Sequence, residues 1–175
     1  LAVGAGLWLG LGGFGRDQGG ELEGLSPKEA LALANQWAEE AKGVQSYLTA
    51  KEIVFVFSDK KTKRVPLPKD EMALAVAPYV RYTHPCEVHF MSSCRGELAE
   101  QTFAVKVIDE NGNVFWEGKV KTMANGFFEL WLPRGKNYRL EVKQGDYIGT
   151  VPITTEGNAP TCITNLRLEK RGNDA

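Results

Sequence analysis

The 175 residues contain two histidines and three cysteines, and four of these five fall within residues 84–94, HPCEVHFMSSC. Neutral imidazole and thiolate are the side chains that hold soft and borderline transition metals. This segment therefore offers His84, Cys86, His89 and Cys94 to one ion with little dependence on long-range folding. Cys162 is the fifth donor and lies far along the chain. In a compact sandwich, the strand that begins at Cys162 can lie beside the segment preceding the sandwich and complete what the local spacing begins. Met91 adds a soft thioether inside the loop, although filling a core gap is the commoner use of methionine.

Three chemistries compete for these residues. Cys86 and Cys94 can pair as a disulfide that closes a short loop, with Cys162 buried and both histidines incidental. A closed zinc site of three thiolates and one histidine is compatible with the spacing Cys86-x-x-His89. Zinc ribbons and fingers usually come as two repeated pairs, however, and only one is present. Thiolate-rich sites outside the cytoplasm favour Cu(I), a soft ion that prefers sulfur and leaves imidazoles available for exchange. Such thiols can also do redox work: two of them, with Cys86 and Cys94 as the candidate pair, reduce Cu(II) by passing to a disulfide while the third keeps the Cu(I) formed. An odd number of cysteines leaves one free, one paired between chains in a homodimer, or all three committed to a metal.

Other classes are disfavoured. Lys plus Arg number 21 against 22 for Asp plus Glu, and a net charge of -1 supplies no broad basic surface for nucleic acid. With both histidines beside cysteines, no Ser-His-Asp arrangement suggests itself for hydrolysis. A thiol–disulfide redox protein is the alternative from another class, but it usually carries Cys-x-x-Cys at a helix start, whereas Cys86 and Cys94 are eight apart. A disulfide-stapled structural sandwich is a further alternative. The adjacent carboxylates Glu39-Glu40 and Asp70-Glu71 read as solvated surface. Glu97 reads as a group orienting a histidine or thiolate, or equally as a surface ion-pair partner. Tyr79 and Tyr82 read as sandwich core, with a wall of the metal pocket as the alternative.

The elements that must position these donors are legible from spacing. Ser26-Pro27-Lys28-Glu29 supplies a cap, a first-turn proline and a reciprocal carboxylate, so a helix is expected from there to about Lys42, ended by Gly43. Its apolar face is Leu31, Ala34, Trp37, Ala38 and Ala41. The run 53–57 (IVFVF) and its return at 63–67 predict a hairpin. Strands are expected at 102–108, 114–121, 127–132, 138–143, 147–153 and 163–168, with turns at Asn111-Gly112, Asn125-Gly126, Pro133-Arg134-Gly135 and Gln144-Gly145-Asp146. The fold class is thus α+β, an N-terminal helix and β-hairpin followed by a C-terminal antiparallel β-sandwich. Residues 122–138 also resemble the core of transthyretin-like accessory domains, a likeness of fold alone.

The opening residues 1–15, LAVGAGLWLGLGGFG, are apolar and uncharged and have the character of a secretory h-region; residues 16–24 read as flexible. The expected division is 1–20 as a targeting or arm segment, 21–76 as helix and hairpin, and 77–175 as the metal-binding sandwich. Location outside the cytoplasm follows, with the apolar segment as a candidate tether.

The blocks Ala77-Pro78-Tyr79, Thr83-His84-Pro85-Cys86, His89, Cys94, Gly96-Glu97-Leu98, Gly126-Phe127, Leu130-Trp131-Leu132-Pro133-Arg134 and Thr161-Cys162-Ile163-Thr164 resemble the CueP family of periplasmic copper-resistance proteins. The likeness runs in order through the second half of the chain; Asn165 departs from a family block that resembles T-C-I-T-T, at a position that is not a ligand. The resemblance implies a periplasmic copper buffer with Cys86, Cys94 and Cys162 as thiolates and His84 and His89 beside them. It also implies reduction of Cu(II) to Cu(I) and delivery to a periplasmic Cu,Zn superoxide dismutase. A thiol–disulfide oxidoreductase joins the expected partners, and zinc is the alternative occupant of the site.

Overall fold

The computed structural model describes residues 18–172, so the apolar opening segment lies outside the described residues. Inside the stretch expected to be flexible, one helical turn, α1 (Gln18–Glu21), forms, and Leu22 behind it is buried against the next helix. That helix, α2 (Pro27–Glu39), starts as the sequence dictates. Ser26 Oγ accepts from the Glu29 N–H and the Glu29 carboxylate accepts from the Ser26 N–H, satisfying two donors that the first turn leaves open. Ala30, Leu31, Ala34 and Trp37 form its buried face. It ends before Lys42, and Gly43 takes φ +75°, a conformation that a side chain at this position would disfavour.

Strands β1 (Gln45–Leu48), β2 (Glu52–Val56) and β3 (Thr62–Pro66) make a small antiparallel sheet, one strand more than the hairpin expected. It packs with α2 around Leu31, Trp37, Leu48, Ile53 and Phe55; the Trp37 and Phe55 rings meet edge to face with centroids 5.7 Å apart. Each such large apolar side chain contributes roughly 1.5–3 kcal/mol by leaving water.

The remainder is a two-sheet sandwich. One sheet is formed by β5 (Thr102–Ile108), β6 (Val114–Lys121), β8 (Asn137–Gln144), β9 (Tyr147–Thr154) and β11 (Glu169–Lys170), in the order β11-β9-β8-β5-β6. The other contains β4 (Glu71–Val76), β7 (Phe128–Pro133) and β10 (Cys162–Ile163), in the order β10-β4-β7. Every pairing is antiparallel except β10 on β4, which is parallel. The expected strand 163–168 forms only as β10, because the chain then turns out to place Thr164 O on the Thr83 hydroxyl and bury Leu166 and Leu168 in the sandwich.

Strand β4 sets the layering. Met72, Leu74 and Val76 face the sandwich core, whereas Ala73 faces the α2 core and Ala75 lies among the cysteines. Alternation of side chains along a strand makes this division unavoidable once both faces are covered. β7 repeats it: Phe128, Leu130 and Leu132 enter the sandwich, while Trp131 packs toward α2.

Glu129 also lies on the α2 side of β7, where its carboxylate accepts a 2.9 Å hydrogen bond from Asn35 Nδ2. Burial lifts its pKa from 4.5 to about 7, against the lowering effect of that hydrogen bond. Between those values the folded chain binds more protons than the unfolded chain, so stability falls as pH rises through the window. Glu129→Gln keeps the acceptor and removes the charge. Urea unfolding across about pH 5 to pH 8 should show wild type losing stability on the order of 3 kcal/mol and the variant remaining nearly flat. Equal slopes for the two proteins would refute this account of Glu129.

Candidate metal centre

The site is built where three elements meet. β10 carries Cys162 and pairs Cys162 with Ala75 of β4, so its thiol is delivered to the α2-facing side of that sheet. The loop from Thr83 to Cys94 crosses the same place. His89 is fixed there by its backbone: its carbonyl accepts from Leu48 N (2.8 Å), and its N–H donates to Thr161 Oγ1 (3.1 Å). The Thr161 hydroxyl in turn donates to Leu48 O at 2.5 Å. One threonine thus ties β1, the loop and the approach to β10 together. A turn from Phe90 to Cys94 closes with Cys94 N donating to Phe90 O (2.9 Å), and it directs Cys94 Sγ back to accept from Phe90 N at 3.3 Å.

The structure brings all five expected residues together. His84, Cys86 and Cys94 present ligand atoms within 4.8 Å of one another, as do His89, Cys94 and Cys162. Cys86 and Cys94 stand as free thiols with sulfurs 3.7 Å apart, and Cys162 Sγ is 3.8 Å from His89 Nδ1. Cys86 remains partly open to solvent, whereas His89 is fully buried, with its ring 4.4 Å from that of Phe127. The other ring nitrogen, His89 Nε2, is buried without a hydrogen-bond partner. Such a group costs about 1–3 kcal/mol unless something satisfies it.

The thiols do not share their protons equally. The hydrogen bond from Cys162, joined by His89 and the Phe90 N–H, outweighs burial and holds Cys94 down to about 3. Cys162 is pushed up because it is the donor in that pair and is itself buried. Burial raises Cys86 as well. Cys94 is therefore the standing thiolate, and thiolate is the form that binds metal or attacks sulfur.

Glu97 acts on the backbone before the donors. Its two oxygens accept from the N–H groups of Val80, Arg81 and Tyr82, at 2.7 Å for the last, and so fix the segment leading into His84. Held this way, Tyr82 points outward at 65 % exposure, which overturns its reading as core. Tyr79 and Tyr82 line a shallow recess with His84. Met91 is fully buried in the α2 core. The supporting roles of Thr161, Phe127 and the small residues Ala75 and Ala77 were not deduced from spacing. None of these residues is a donor type, so the sequence carries no chemical signal for them.

The donor set of three thiols, two imidazoles and one orphaned ring nitrogen suits a soft or borderline ion. Residues 31–167 match the family described as "Periplasmic copper-binding protein CueP". The chain belongs to the CueP family. A solved structure titled "Crystal Structure of S.CueP" superimposes with a TM-score of 0.78 at 29 % identity, covering 86 % of this chain and 92 % of that one. No curated protein matches the chain. Like the rest of the CueP family, it is thus a periplasmic copper-binding protein, and the α+β fold read from the sequence agrees with that crystal structure.

Ala75 leaves the space in which Cys94, Cys162 and Phe127 converge. Ala75→Leu should overfill it at a cost of about 1–3 kcal/mol, read by urea unfolding, and should raise the rate at which a thiol reagent labels Cys94 in the folded protein. Unchanged stability and labelling would mean that the space is not close-packed.

Proposed function

We propose that Cys86, Cys94 and Cys162, with His84 and His89, hold copper as Cu(I), and that the protein buffers copper in the periplasm and hands it to a Cu,Zn superoxide dismutase. The observation that carries this reading is the convergence of all the chain's cysteines and histidines on one place, half of it buried, in a member of a copper-binding family. Sulfur donors select Cu(I) over harder ions, and the partly exposed Cys86 and His84 leave an edge from which an acceptor protein can exchange ligands. Zinc fits the same donor types and is the competing occupant.

The same thiols account for reduction of Cu(II). Cys86 and Cys94 form a disulfide, giving up two electrons to two Cu(II) ions, each of which becomes Cu(I), while protons carried by the thiols pass to solvent. Cys162 and His89 remain to hold one of the ions produced. A thiol–disulfide oxidoreductase then returns the pair to dithiol. The 3.7 Å separation of the two sulfurs and the thiolate character of Cys94 support this assignment.

Anaerobic competition between the reduced protein and a Cu(I) chelator tests the first part. Wild type should withdraw Cu(I) from the chelator, Cys94→Ser should lose most of that ability, and zinc should not displace the bound copper. A wild type that barely competes would replace this reading with a structural sandwich. For the second part, Cu(II) added to the reduced protein should yield two Cu(I) per Cys86–Cys94 disulfide, mapped by differential alkylation, and Cys86→Ser should stop the reaction. A disulfide that maps elsewhere would reassign the redox pair.

A further inference from the structure

The five donors are graded from solvent to core and form two overlapping sets of three, with the Cys86 and Cys162 thiols also in contact across them. The outer set is His84, Cys86 and Cys94; the inner set is His89, Cys94 and Cys162; Cys94 belongs to both. The two differ in what holds them. His84 and Cys86 ride on a stretch of loop outside any strand, anchored before them by the Thr83 hydroxyl on Thr164 O and the Glu97 clamp on residues 80–82, and after them by Glu87 O, which accepts from Thr161 N and Cys162 N. Cys162 is fixed by β10 against β4, and His89 is fixed by its bridge to Leu48, by Thr161 and by the Phe127 ring. The inner set also contains the one ring nitrogen, His89 Nε2, that is buried with no partner.

We propose that the cluster is a two-position relay, in which Cu(I) is first taken by His84, Cys86 and Cys94 and then pivots about Cys94 to the buried position completed by Cys162 and His89. The proposal rests on the copper-holding reading above. The oxidation state does not change in the move. The bond from Cys94 to the ion persists, the bonds from His84 and Cys86 break, and bonds from His89 and Cys162 form. The Cys162 proton leaves and Cys86 takes one up, so charge balances. Solvent-exposed, hydrated ligands exchange quickly and grip weakly, whereas enclosed, desolvated ligands need little reorganisation to bind and let go slowly. A relay therefore separates fast capture from firm retention, and run backward it places the ion at the surface for an acceptor.

The probe is Cu(I) itself, supplied anaerobically from a coloured chelator to the fully reduced full-length protein, with stopped-flow uptake and equilibrium competition read on the same samples. His84→Ala and Cys86→Ser should slow uptake about tenfold; His89→Gln and Cys162→Ser should keep the fast phase and lose about a hundredfold in final affinity, well beyond the loss in either outer variant. X-ray absorption at the copper edge on loaded wild type guards against misfolded variants, and a first shell of two sulfurs and one imidazole nitrogen is expected. Equal losses of affinity from Cys86→Ser and Cys162→Ser, or a shell of three sulfurs without nitrogen, would establish a single three-thiolate position and overturn the relay while leaving copper binding intact. If wild type failed to compete for Cu(I) at all, the underlying copper reading would fall, and the relay with it.

Discussion

Everything in this molecule depends on β4 being covered on both faces. Its odd and even residues enter different interiors, with Met72, Leu74 and Val76 in the sandwich and Ala73 and Ala75 on the side shared by the helix and the thiols. The neighbours of β4 follow from this. β10 can pair only along the free edge opposite β7, and the register Cys162↔Ala75 then decides which side of the sheet receives the third thiol. A slip of one residue would send that sulfur into the sandwich core, because strand side chains alternate strictly. Small residues on the thiol side are the other half of the constraint. Even Gly96 has no room for a side chain, since a Cβ there would meet Ala77 Cβ and Gly126 O at 2.9 Å.

The electrostatics of the cluster come chiefly from hydrogen bonds. Cys94 is stabilised as a thiolate chiefly by Cys162, with His89 and the Phe90 N–H adding to it. The Phe90 contact arises because Cys94 closes a single turn, Cys94 N on Phe90 O, which brings its sulfur back over the Phe90 N–H. The buried imidazole is costly with Nε2 unpartnered, and the fold holds its backbone in place from both sides. Thr161 is central to this, being buried and bonded to both His89 and Leu48.

The sequence made the donors and most strands plain. The cysteine–histidine cluster is visible because those residue types are rare elsewhere in the chain, and β5 and β6 are bounded as their alternation and the Asn-Gly turns require. The bounds of β4 are not legible because MALAVA is a continuous apolar run with no period of two, equally consistent with a buried helical turn. β1 is only four residues long and owes its existence to β2 and to the Leu48–His89 bridge, neither of which is a local property. The length of β10 is hidden for a related reason: apolar residues at 166 and 168 alternate like a strand, but pairing breaks after Ile163 and resumes only as the Tyr79–Arg167 bridge. For the donors, spacing identified the set. The division between exposed and enclosed members depends on packing, which spacing does not encode.

The pairing of β10 with β4 also fixes an order of events. Two residues of strand, drawn from near the end of the described chain, seat against a strand that precedes the whole cysteine–histidine loop. Contacts of such large sequence separation form late, because the entropy of closing the intervening chain is lost before any contact repays it. A nascent or partly unfolded chain therefore holds His84, Cys86, His89 and Cys94 without Cys162, and the enclosed half of the cluster exists only once the sandwich has closed. The protein cannot offer its complete donor set without first being fully folded, so the site also reports that folding is complete.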